Sequence, residues 1–292
     1  MGNNTNLSLQ KFTSQGKMMK FFFVIYTLVA LSFTSAFASS QKYIVSVVPQ
    51  LQTTDIQKTW GSFLRELSKQ TGFEFEIKHY ATIPLFEKGL ENGEPDIAFM
   101  NPYHAVMAYE WNKYEPIIHD KESLVGILVV KENSSIKELS ELNNTTLAFP
   151  APNAFAASLY MRALLEQEEH VTFTPIYVKT HSNVYRNVLF GKYPAGGGVN
   201  NTLMREAPSV TAQLRTLYTT APTAPHPLCI HPRVSDKTKL IIKNAILKMG
   251  EDSKFKDLLN DIQIPNPVHA DYNSEYLKLQ KLNLKNYIAT EN

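Results

Sequence analysis

Lys17 and Lys20 precede an apolar run from Phe21 to Phe37, and the run ends in Ala36-Phe37-Ala38 ahead of Ser39-Ser40. A basic start, a short apolar stretch and a small-x-small site form the pattern of a cleaved secretory leader. The run is about 17 residues long and contains Thr27, Ser32, Thr34 and Ser35, which weakens it as a membrane anchor. Residues 1–38 are therefore expected to be a signal peptide, and the rest of the chain to fold in the periplasm. A start at Met18 or Met19 would leave a more compact leader. No cysteine lies near the cleavage point, which argues against a lipid anchor.

Folding outside the cytoplasm often relies on disulfides, but Cys229 is the only cysteine, so stability must come from a packed core. About 250 residues follow the leader, enough for one large domain or two lobes. The whole chain carries a net charge of +2, yet residues 1–38 hold three lysines and no acid, so the remainder stands at −1. A near-neutral chain without basic runs offers no electrostatic case for nucleic acid. No later segment is apolar for long enough to span a membrane, and no internal repeat is evident.

Tyr43 to Val48 reads as a first strand ending at Pro49. Thr54 or Asp55 can cap a helix whose apolar positions Ile56, Trp60, Phe63, Leu64 and Leu67 follow helical spacing, with Gly72 as its stop. Phe73, Phe75 and Ile77 alternate with Glu74, Glu76 and Lys78, the signature of a strand with one buried face. A short helix over 84–90, a strand over 96–99 and a helix opened by Pro102 follow, then strands near Ile117 and over 124–130. The rhythm restarts with Ser135 capping a helix through Leu139, a strand over 146–149, a helix over 154–167, a strand over 171–178, a helix over 181–190 and a strand over 214–218. Four prolines lie between 222 and 232, and Ser235 can cap a final long helix. Strands alternating with helices predict parallel pairing in an α/β fold. Ligands of such sheets bind beyond the carboxyl ends of the strands, which directs attention to the loops at 49–54, 80–82, 100–103, 150–155 and 180–183.

The segment Pro95-Asp96-Ile97-Ala98-Phe99-Met100-Asn101-Pro102-Tyr103 resembles the D-I-A-F-x-x-P-Y stretch of substrate-binding proteins in phosphate, phosphite and phosphonate ABC importers. Tyr80 resembles that family's cleft tyrosine, and Thr180-His181-Ser182 its cleft histidine at a helix start. The resemblance implies a type II periplasmic binding protein, with two α/β lobes, a ligand cleft and two crossover segments. Lobe one would hold 41–128 and 222–292, and lobe two 129–221. It also implies a monomeric binding component, without cofactor, that passes a small ligand, an oxyanion by family, to an ABC permease in the inner membrane. A periplasmic sensory role for the same scaffold is the alternative. Where the family carries a Ser-Thr-Ser-Gly run, this chain has Pro150-Ala151-Pro152-Asn153-Ala154-Phe155. The position beside the Asn-Pro pair is Met100 rather than tyrosine, and the family's acidic position falls on Pro194. A less charged ligand suits these positions as well as an oxyanion.

Tyr80, Met100, Asn101, Asn153 and His181 are the candidate ligand-binding residues, with bland alternatives as packing or capping groups. Gly196-Gly197-Gly198 lacks the Gly-Lys-Ser/Thr ending of a phosphate loop and reads as a tight connection. His226, Cys229 and His231 do not share one strand face, which disfavours a metal site. Neither a Gly-x-Ser-x-Gly elbow nor a His-Glu-x-x-His pair is present, so a hydrolase is disfavoured.

Overall fold

The computed structural model describes residues 41–289; the expected signal peptide at 1–38 lies outside the described residues. Among the described residues, eleven strands form two sheets. The first runs in the order β11-β4-β10-β3-β1-β2, from β1 (Lys42–Val47), β2 (Glu74–Ile77), β3 (Ile97–Phe99), β4 (Glu115–Asp120), β10 (Leu228–Ile230) and β11 (Pro267–His269). The second runs β7-β6-β8-β5-β9, from β5 (Gly126–Lys131), β6 (Thr145–Phe149), β7 (Phe173–Tyr177), β8 (Gly196–Val199) and β9 (Leu214–Thr219). With helices packed on both sheets, this is the two-lobed α/β arrangement expected of a type II binding protein.

The chain leaves the first sheet after β4 and returns to it at β10. The two crossing segments touch through a bridge between Leu124 and Thr223, and Thr220 Oγ1 accepts from Gly126 N at 3.0 Å. The expectation of parallel pairing throughout needs correction. β1 pairs in parallel with β2 and β3, and β6 with β7 and β8. The strands that flank the crossings, β5 and β10, run antiparallel to their neighbours. A chain that enters a sheet from the other lobe is not bound by the helical crossover that enforces parallel pairing.

Local chemistry explains most element limits. Gly72 ends the helix Thr53–Thr71 at φ 75°, a left-handed position that glycine takes without steric cost. That helix is not capped by Thr54 or Asp55; its N-cap is Gln52 without a side-chain bond, and both residues lie in the first turn. Ser135 starts no helix either. The segment tightens only into a 3₁₀ turn at Leu139–Leu142, with Glu138 and Glu141 forming a reciprocal capping box. Ser235 caps Asp236–Glu251 by accepting from Thr238 N. Pro175 sits in β7, an edge strand, where a missing N–H is tolerated.

β5 is buried on both faces, as a central strand should be. Leu128 and Val130 join Leu147, Phe149 and Met161 on one side, while Ile127 and Val129 meet Tyr185 and Val188 on the other. The core of the first lobe centres on Trp60, whose ring lies 4.9 Å from Phe99 and 5.7 Å from Phe63. It continues into the second lobe through Phe155, which stacks nearly parallel to Tyr103 at 6.3 Å. The triple glycine is β8 itself. A Cβ on Gly197 would sit 2.1 Å from Ala157 O, and one on Gly126 2.3 Å from Ala156 O. Glycine at these two positions lets the start of the helix after β6, at Phe155–Leu159, lie directly on the sheet.

Candidate functional site

The helix that rests on those glycines follows β6. Its first turn is a π-helix, Phe155–Leu159, continuing as the α-helix Tyr160–Gln167. Ser158 N and Leu159 N both reach back to Ala154 O, at 2.9 and 3.0 Å. The N–H groups of Phe155, Ala156 and Ala157 precede the first intrahelical bond and are the free donors of a helix start. Residues 154–157 line a small, partly open cavity of about 10 Å³ together with Gln50, Leu124, His181, Val199, Asn201, Thr202, His226 and Gln263. Other contributors come from the loop after β1, the short helix Asn200–Met204 after β8, the start of the helix after β7, and the return crossing. The cavity therefore lies where the strands of both lobes end, as open α/β sheets dictate. Its volume matches roughly one water molecule, and it shares Leu124, Asn201, His226 and Gln263 with an adjoining groove of about 390 Å³.

His181 opens the helix His181–Leu189, whose N-cap Thr180 accepts from Asn183 N. The residue as a whole is partly exposed, but its Nδ1 is enclosed and has no hydrogen-bond partner. Burial pushes this imidazole down to about 4, so it is neutral at pH 7. His226 stacks on Phe99 at 5.6 Å and lies 2.8 Å from Gln50 Nε2 through its own Nε2. Burial, reinforced by the neighbouring His104 and His181 rings, pushes it down to about 3. Asn201 Oδ1 is likewise enclosed without a partner. No Asp, Glu, Lys or Arg lines this cavity. It is a neutral chamber with backbone donors on one wall and two unpartnered side-chain atoms on another.

Asn101 and Asn153 are brought together beside the cavity, both buried. Asn101 caps the helix Pro102–Asn112, accepting from His104 N at 2.8 Å, and its Nδ2 donates to Asn153 O at 3.2 Å. Asn153 Nδ2 donates to both Glu87 oxygens, at 3.1 and 3.0 Å, and to Ala289 O at 2.8 Å. Its Oδ1 accepts from Ala289 N at 2.8 Å. Glu87 in turn holds His104 Nε2 at 2.8 Å. Asn153 follows a strand of the second sheet, whereas Glu87 and His104 lie on helices of the first lobe. The network therefore joins the lobes. Arg162 adds to it by donating to Pro152 O and Tyr287 O, both at 2.9 Å.

Met100 is fully buried, and its N–H donates to Pro227 O at 3.1 Å. Tyr80 is half-buried and its hydroxyl donates to Glu94 at 2.6 Å. Its ring covers Gly89, where a Cβ would lie 2.2 Å from the hydroxyl oxygen, and meets Phe86 edge-on at 5.7 Å. Among the five sequence candidates only His181 lines the cavity. Gln50, Asn201, His226 and Glu87 were missed. Gln50 sits in a loop that the strand pattern marked, but nothing singled out the residue. Asn201 follows a glycine strand that reads as a connection, so the strand end was invisible. His226 was weighed only against a metal, and Glu87 reads as an ordinary solvent-facing helix acid.

Residues 45–276 match the family model described as ABC transporter, phosphonate, periplasmic substrate-binding protein. The chain is similar to the phosphate-import protein PhnD of Mycolicibacterium smegmatis, 22% identical over 249 residues that cover 76% of this chain and 78% of that one. In structure it is similar to PhnD1 of Prochlorococcus marinus in complex with methylphosphonate (TM-score 0.73, 17% identity, 85% of this chain and 99% of that chain). It is also similar to the binding protein component of an ABC phosphonate transporter from Pseudomonas aeruginosa (TM-score 0.72, 16% identity, 84% and 86%). At these identities the structural likenesses carry the fold.

Proposed function

The chain belongs to the family of periplasmic substrate-binding proteins of phosphonate ABC transporters, and from that membership we propose that it captures a small phosphorus oxyanion at the start of the helix after β6. It is a binding component and not an enzyme. The observation that carries the ligand reading is the first turn at 155–157. Its N–H groups lie outside the intrahelical ladder, and its residues line a chamber with the unpartnered His181 Nδ1 and Asn201 Oδ1. A helix start with nearby donors is a ready anion site, and backbone groups here replace the hydroxyls that the sequence lacks.

In this reading His181 contacts the ligand directly. Asn101 and Asn153 hold the lobes closed over it, while Met100 packs in the first-lobe core and Tyr80 packs on the helix Ile83–Glu91, both away from the cavity lining. The lobes are taken as 41–128 with 222–292, and 129–221. Closure is a population shift: a ligand that touches both lobes favours the shut state, which a permease of the inner membrane would recognise. The mature protein would work in the periplasm as a monomer.

A thermal-shift screen of the chain from Ser39 tests this, with methylphosphonate, phosphite and phosphate beside amino acids and sugars. A ligand at 100 times its dissociation constant should stabilise by about 2.7 kcal/mol. A shift confined to amino acids or sugars would refute the oxyanion assignment while leaving the family intact.

A further inference from the structure

Of the buried side-chain atoms that line the chamber, His181 Nδ1 and Asn201 Oδ1 have no hydrogen-bond partner. Asn201 Oδ1 is enclosed and unpartnered. Two other lining side chains are already engaged: the Thr202 hydroxyl bonds Val199 O at 3.0 Å and the Tyr185 hydroxyl at 2.7 Å, and Gln50 Nε2 is committed to His226. The helix start at 155–157 lines the same chamber and carries N–H groups outside the intrahelical ladder, which call for oxygen acceptors.

We propose that the chamber selects a ligand carrying both an acidic hydroxyl and bare oxygens, so that a phosphonate is bound as its hydrogen-bearing monoanion and an isosteric sulfonate is refused. The inference rests on the oxyanion reading above and adds the ligand's protonation state.

Charge supports the same selection. A dianion would find no fixed cation in the chamber. Several charged groups on the surrounding elements are held by protein partners. Glu206 accepts from the Ser182 hydroxyl and pairs with Arg186 at 3.4 Å. Glu87 holds His104 and Asn153. Asp120 accepts from Asn266 N and Glu122 N. In the adjoining groove, which Glu122 also lines, Arg205 donates to Asn260 O. His181 and His226 are both neutral near pH 7. A monoanion at a helix start meets only a partial positive charge, which matches it better than it matches a dianion.

Methylphosphonate and methanesulfonate are close in shape and, below the second dissociation of the phosphonate, equal in charge; they differ by one hydroxyl. Calorimetric titration of the mature chain with each, from pH 5.5 to 9, tests the proposal. Methylphosphonate should bind at least about tenfold more tightly than methanesulfonate at low pH, since the sulfonate leaves a buried oxygen unpaired. Its affinity should fall about tenfold per pH unit above its second dissociation. Asn201→Leu should erase most of the preference while melting near the parent temperature; if the variant fails to fold, the pH profile of the parent stands alone. Equal sulfonate binding, or phosphonate affinity constant across the range, overturns the proposal. Sulfonate binding that appears only at low pH overturns it too, because it would assign the proton to a histidine. Binding of no phosphorus oxyacid at any pH would overturn the proposed function itself, and this inference with it.

Discussion

Removing the amide of Asn153 should open the protein. In Asn153→Ala the two bonds with Ala289 and the forked contact to Glu87 disappear together. The contact to a carboxylate is worth about 1.5–3 kcal/mol and each backbone bond about 0.5–1.5 kcal/mol. Glu87 keeps His104 at 2.8 Å, so its carboxylate is not left alone, and the expected loss is about 3–5 kcal/mol of closed-state stability. Asn153 is 1% exposed, so water cannot replace these bonds until the lobes separate. Urea unfolding reads the loss in stability, and small-angle scattering reads the opening as a larger radius of gyration. A change below about 0.5 kcal/mol with an unaltered radius would refute the role given to this residue.

Gly197→Ala should shift the helix start off β8, since the new methyl would press on the backbone oxygen of Ala157 at 2.1 Å; the expected loss is about 1–3 kcal/mol by thermal unfolding, with weaker ligand binding. His181→Ala should weaken binding of an anionic ligand by roughly 1.5–3 kcal/mol by calorimetry without unfolding the protein. Acid should destabilise the fold through His181 and His226, whose folded values of about 4 and 3 lie below the ordinary 6.5. The unfolded chain then binds more protons, so stability is complete above pH 6.5 and declines toward pH 4, and His226→Gln should flatten that decline in melting temperature. Cys229 is fully buried and burial raises its thiol well above the usual range, so a thiol reagent should label it only after denaturant is added.

Elements written in local pattern were legible in the sequence. The alternation over 73–77, the helical spacing from Ile56 to Leu67, Gly72 as a stop, Pro102 as a start and Ser235 as a cap all appear in the structure. Errors came where local chemistry offered equal options. Asp55 and Gln52 compete as helix starts, and the three-residue spacing of Ile136, Leu139 and Leu142 after Ser135 fits a 3₁₀ turn as well as an α-helix. Antiparallel β5 and β10 were hidden because their direction depends on partners from distant segments. The candidate site was only partly visible for the same reason. Asn101 meets Asn153 across 52 residues, and Asn153 meets Glu87 across 66. A buried acid stabilised by partners so remote has no local signature. His181 was visible because its role depends on a helix start, which local sequence does specify.

The most direct test is a crystal structure of the mature chain grown with methylphosphonate. The account predicts phosphonate oxygens within hydrogen-bond distance of the N–H groups at 155–157 and of His181 Nδ1, with the hydroxyl on Asn201 Oδ1. A ligand held elsewhere, or one held between the lobes without touching the helix start, would contradict it.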